Sequence, residues 1–139
     1  MIKYIALYEK PSDPEAFDQK YFDSHLPLVA KTPGLVRAEV AKVQRVFVPG
    51  FLGETEPYLV AEMYFESKDA MRTAFGSPEW TAAGANLNEI GGMQLVAMFS
   101  AEVLASGEPA ELPGSGEAAD GTEVWAPGGP GGTTAEGTG

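Results

Sequence analysis

The chain of 139 residues has no cysteine, and histidine occurs once, at position 25. The first absence excludes disulfides, thiolate metal sites and a cysteine nucleophile; the second excludes a multi-histidine metal site built by one chain. Basic residues are also scarce. Nine Lys and Arg stand against 20 Asp and Glu, for a net charge of −11, which argues against nucleic acid and anionic membranes as partners because both need a basic footprint. No apolar run is long enough to span a bilayer, and the start lacks the charged-then-apolar order of a signal peptide, so a cytoplasmic location is expected. The chain also lacks GxGxxG, GK[ST] and Gly-x-Ser-x-Gly patterns. Flavin, nicotinamide and ATP sites therefore have no support, and the expected cofactor and metal content is none.

What is present divides in two. Residues 1–104 hold nearly all of the apolar periodicity and all nine bases. Residues 105–139 carry ten Gly, four Pro, six acids and no base, a composition that cannot bury enough apolar area to offset its ordering entropy. One domain followed by a flexible or docked tail is expected, with Trp125 the residue of the tail best suited to docking.

Within the domain, residues 2–8 read as a strand covered on both faces. Ser12 with Glu15 forms a possible capping box and Asp13 before Pro14 is a rival N-cap, so a helix begins there. It is expected to run to Ser24 or Leu26, where Pro27 disfavours helical geometry, with a further turn possible at 28–31 before the Thr32-Pro33-Gly34 stop. Residues 35–48 alternate imperfectly as a second strand. Residues 58–65 alternate cleanly, with Leu59, Ala61, Met63 and Phe65 on one face and Tyr58, Val60, Glu62 and Tyr64 on the other. Helices over 68–75, capped by Ser67, and from Ser77-Pro78 to about Leu87 follow. Residues 93–104 read as the last strand. The order β-α-β-β-α-β defines an α+β, ferredoxin-like fold: a four-stranded antiparallel sheet with helices on one face. Tyr4, Val60, Tyr64, Val96 and Met98 would leave the other face apolar, so two sheets are expected to pack face to face as a homodimer. Both faces of the last strand are apolar, and its orientation is left open.

The candidate chemistry lies in FDQKYFDSHLPLVAKTPGL, residues 17–35. Phe17, Tyr21 and His25 recur every four residues and stack on one helix face, extended by Leu28 and Val29. An imidazole among apolar neighbours stays neutral near pH 7 and can act as a base. In this reading His25 and Tyr21 are catalytic, Tyr21 donating its O–H to a developing oxyanion. Phe17, Met63, Phe65, Phe75 and Trp80 then form an apolar wall for a small apolar or aromatic molecule. The competing reading makes those five simply the core. It makes His25 a structural latch on the backbone near Pro33-Gly34, in a non-enzymatic binding or accessory module. Glu62 is expected to pair with Lys3, Lys42 or Arg45 at the sheet surface.

Phe17, Tyr21, His25, Pro27, Leu28, Pro33 and Gly34, with Gly76-Ser77-Pro78-Glu79, Ala82, Ala85, Leu87 and Gly91-Gly92, resemble the signature of the EthD family, named from ethyl tert-butyl ether degradation. The resemblance covers residues 1 to about 104. It implies the dimeric α/β barrel superfamily, whose members include cofactor-free monooxygenases, polyketide cyclases, lactone isomerases and haem-degrading enzymes, with ligands held between helices and sheet. In place of an Asp expected in a stretch resembling Ala-Asp-Leu-Pro-Asn-Phe, this chain has Ala85, Asn86, Leu87, Asn88, Glu89 and Ile90. An amide cannot serve as a carboxylate, which puts an implied His-Asp pair in doubt and leaves Glu89 as a substitute.

Overall fold

The alternating strands and capped helices assemble as one antiparallel sheet under a helical layer in the computed structural model, which describes residues 1–50 and 52–114. The elements are β1 (Ile2–Glu9), α1 (Pro14–Lys20), a π-helical turn (Tyr21–His25), α2 (Leu26–Val29), β2 (Arg37–Lys42), β3 (Pro57–Phe65), α3 (Lys68–Phe75), α4 (Pro78–Glu89) and β4 (Val96–Glu102). The sheet order is β2-β3-β1-β4, with all pairs antiparallel. This is the ferredoxin-like arrangement that the element order implied.

Of the rival caps for the first helix, Asp13 wins: its carboxylate accepts from the Ala16 N–H at 3.2 Å. Ser67 and Ser77 cap α3 and α4 through the N–H groups of Ala70 and Trp80. The first helix does not stop before Pro27. The turn widens, the Leu26 N–H bonds to the Tyr21 carbonyl five residues back, and Pro27 falls in the first turn of α2, where its missing N–H costs little. The second strand is shorter than its alternation suggested, spanning Arg37–Lys42. The last begins only at Val96, after a 3₁₀ turn at Gly92–Gln94. Gly91, at φ 85°, turns the chain out of α4, a left-handed conformation that side chains resist.

The cross-strand register assigns every face. Ile2, Tyr4, Ala6 and Tyr8 of β1 share the helix side with Leu59, Ala61, Met63 and Phe65 of β3, and with Val96, Met98 and Ser100 of β4. Tyr4, Val96 and Met98 therefore lie under the helices, not on the bare face where the sequence pattern had put them. The centre of the outer face holds Ile5 and Leu7 flanked by Val60 and by Ala97 and Phe99. On it the Lys3 ammonium meets the Glu62 carboxylate at 3.2 Å, and the Tyr64 hydroxyl donates to the same carboxylate oxygen at 2.8 Å. Of the three expected partners Glu62 thus takes Lys3, and Lys42 pairs instead with Asp18 of α1.

Two buried clusters fill the helix side. One gathers Tyr8, Phe17, Tyr21, Leu59 and Leu87, the other Ile2, Val29, Met63, Phe65, Ala74 and Ala83. The chain divides at residue 103, and the second unit runs from Leu104 to Gly139. Its described part contains a short 3₁₀ turn, Pro109–Glu111, closed by a reciprocal capping box of Glu108 and Glu111. The expectations for the rest of the tail and for Trp125 lie outside the described residues.

Candidate functional site

The centre of the sheet is built from small side chains. Ala6 of β1 sits opposite Ala61 of β3, and α4 presents Ala83 and Gly84 above them. Where four larger residues would interlock, a void of about 150 Å³ remains. A dry cavity of that size suffices for a benzene-sized ring. Its apolar walls include Val29, Val40, Met63, Leu87 and Met98.

His25 reaches this cavity from the end of the π turn. Phe17, Tyr21, His25 and Val29 are all buried, so the four-residue spacing survives the wider turn as a single inward face. The Tyr21 ring lies 5.6 Å from Phe17, 5.4 Å from Tyr8 and 5.2 Å from the imidazole, centre to centre. Nδ1 of His25 is 3.2 Å from Oδ1 of Asn86 on α4. The backbone latch near Pro33-Gly34 is not what holds the ring. Nor does Glu89 substitute for the missing carboxylate, since it lies exposed at the end of α4; Asn86 takes that place directly. Among the described residues the only buried side-chain polar atom without a partner is Thr32 Oγ1. Nε2 of His25 bonds to no group of the described residues and is not wholly buried.

Burial holds the His25 imidazole below its ordinary value, partly opposed by the bond to Asn86. The ring is thus neutral at pH 7, with one nitrogen engaged and the other available. Burial pushes the Tyr21 phenol up to about 12, although a hydrogen bond from Tyr8 works against the shift, and Tyr8 and Tyr4 are raised by burial too. All three tyrosines line the cavity, each with a neutral hydroxyl. Glu39 and Glu62 also border it, but their register directs both side chains to the outer face. No Lys or Arg lines it.

Of the residues singled out in the sequence, Tyr21, His25, Met63 and Trp80 line this cavity. Phe17, Phe65 and Phe75 do not: Phe17 stacks beneath Tyr21, and Phe75 supports Trp80 from behind at 4.3 Å between ring centres. Tyr4, Tyr8 and Met98 line it too, although Tyr4 and Met98 were expected on the opposite face and Tyr8 was assigned no role. Tyr4 and Tyr8 could have been found from β1, where they share a parity with Ala6.

This fold, with an aromatic and histidine-bearing first helix above the sheet, matches the family model described as EthD domain over residues 9–89. The chain belongs to the EthD family. It is 33% identical, over 104 residues covering 73% of this chain and 95% of the relative, to an uncharacterized 11.0 kDa protein from the thcB-thcC intergenic region of Rhodococcus erythropolis. An EthD-family crystal structure from Bacillus halodurans is 35% identical, with a TM-score of 0.65, covering 75% of this chain and 99% of that one. The fold extends further, to SnoaB, a cofactor-independent oxygenase from Streptomyces nogalater, at 16% identity and a TM-score of 0.50, over 77% of this chain and 94% of that one. No group of three or more His, Cys, Asp or Glu residues that could hold a metal ion occurs among the described residues, and no helix there is long and apolar enough to cross a membrane.

Proposed function

We propose that this EthD protein binds a neutral, single-ring aromatic or enolic compound between its helices and sheet, and acts on it by proton abstraction without a tightly bound cofactor. The observation that carries this reading is a neutral imidazole with one nitrogen bonded to Asn86 and the other unpaired, beside an apolar ring-sized cavity. Nε2 takes a proton from the substrate's O–H or activated C–H, and the Tyr21 O–H stabilises the oxyanion that forms. The absence of a lining cation disfavours carboxylate substrates, which would be desolvated without a counter-ion. The resulting carbanion can rearrange its ring or react with dioxygen. Conversion of a CH₂ to a C=O with release of water draws all four electrons from the substrate, so that route needs no reductant. The fold-level likeness to a cofactor-independent oxygenase is in keeping with it.

We propose further that two copies pack through the outer sheet face in the cytoplasm. Ile5, Leu7, Val60 and Phe99 are apolar neighbours there, Phe99 is exposed, and a second sheet laid against them would take them out of water. The test is a thermal-shift screen of neutral phenols and cyclic diketones against benzoates, followed by oxygen-uptake and product assays on the hits. A rise in melting temperature confined to neutral rings, with turnover lost in His25→Ala, supports the proposal. Hits that are turned over equally by His25→Ala overturn it.

A further inference from the structure

The hydrogen bonds around His25 form a chain whose direction can be worked out from one end. Ser24 Oγ lies 2.6 Å from the Lys20 carbonyl oxygen. Two oxygens that close need a proton between them, and only the hydroxyl can supply it. Ser24 has then spent its single proton and can only accept from Asn86, whose amide nitrogen lies 3.4 Å from Oγ. The NH₂ end of the amide is thereby turned toward Ser24 and the carbonyl end toward His25, at 3.2 Å. An amide oxygen only accepts, so Nδ1 must donate. A neutral imidazole has one proton to give.

We infer that Asn86 and Ser24 are positioning residues that decide which nitrogen of His25 carries the proton, fixing it on Nδ1 and leaving Nε2 of this cavity-lining residue as a bare lone pair. The reversed chain, with Ser24 donating to the amide oxygen and the amide donating to Nδ1, would put the proton on Nε2. It would also leave the Lys20 and Ser24 oxygens in contact with no proton between them. Under that reversal His25 would be a hydrogen-bond donor and no base. The local sequence fits the assignment. Asn in a helix interior is unfavourable by propensity, and Ser24 bonds back to the carbonyl four residues earlier within the widened turn. Only the catalytic consequence depends on the function proposed above; the proton's position does not.

The single histidine makes the test direct, because all imidazole ¹⁵N signals come from His25. In the full-length wild-type protein at pH 8, long-range ¹H–¹⁵N spectra are expected to show a protonated Nδ1 and an unprotonated Nε2. Asn86→Ala is expected to invert or average that pattern, and Ser24→Ala to average it partly. Asn86→Asp, whose carboxylate can only accept, keeps the wild-type pattern and moves the titration midpoint up by about 1–3 pH units. The other titratable groups are Tyr21 of the π turn, against the ring, and Tyr4 and Tyr8 of β1 across the cavity, all neutral at these pH values, with Glu39 and Glu62 at the cavity border. A proton on Nε2 in the wild type, or an unchanged pattern in a folded Asn86→Ala protein, would overturn the inference. Failure of every neutral ring compound to bind would remove the proposed function and leave this result standing.

Discussion

Both faces of the sheet carry apolar residues at their centre, yet they are completed differently. On the helix side, Ile2, Leu59 and Phe65 are packed by the chain's own helices, and packing fails only at the centre, where Ala6 and Ala61 meet. On the outer side none of the helices among the described residues packs on Ile5, Leu7, Val60 and Phe99, and Phe99 is 48% exposed. The difference shows that a void and an uncovered surface have distinct causes. The void comes from small side chains opposing one another; the uncovered surface comes from apolar side chains with no layer above them. The first invites a small molecule and the second another protein surface.

The comparison breaks most severely at His25. Replacing it with Ala removes the base and is expected to lower turnover by about 10²–10⁴-fold while leaving the outer face untouched, which turnover assays and unchanged sedimentation would register together. Next in size is a charge placed on the outer side. If two copies pair as proposed, Phe99→Asp is expected to leave the chain monomeric at micromolar concentration in analytical ultracentrifugation, with ring-compound binding retained. Filling the void sharpens the contrast in the other direction. Ala61→Val is expected to weaken ligand binding by about tenfold, roughly the 1.4 kcal/mol of one or two displaced methylene contacts, with melting temperature unchanged or slightly raised.

Acid should act on the helix side more gently. Since the folded His25 lies below the unfolded imidazole's 6.5, the unfolded chain binds the extra proton first. The stability contributed by the neutral buried ring is therefore present above about pH 6.5 and is lost as pH falls through the folded value. Denaturant titrations between pH 8 and 5 should show this loss, and His25→Ala should lack that component. The smallest expected effect is on the outer side, where Lys3→Ala removes a partly exposed pair to Glu62 and should cost under about 1 kcal/mol in the same titrations.

Much of this fold can be read from the order of residues. The clean alternation over 58–65, the serine caps of α3 and α4 and the four-residue spacing of Phe17, Tyr21 and His25 each translate directly into an element or a face. The passage of the first helix through Pro27 could not be read, because the rule against helical geometry before proline is only a preference: Leu26 adopts ordinary α geometry, at φ −59° and ψ −39°, and Pro27 falls in the first turn of α2, where its missing N–H costs little. β4 was ambiguous for another reason. Val96 and Met98 are as apolar as Ala97 and Phe99, so parity alone could not orient it, and the pairing to β1 decided the matter. The cavity left no pattern, since it is made by the shortness of Ala6, Ala61, Ala83 and Gly84. Asn86 was visible only as a missing carboxylate. Its role depends on a contact 61 positions away in sequence, which spacing cannot express.

The central claim is that one neutral imidazole borders a ring-sized apolar void, and the most direct measurement is a titration of the full-length protein with neutral phenol, followed at the His25 ring signals. A saturable shift of those signals, with its midpoint moved about tenfold higher by Ala61→Val and absent when benzoate replaces phenol, is the predicted result. Ring signals that stay fixed up to the solubility limit of phenol and of other neutral single-ring compounds would contradict the account.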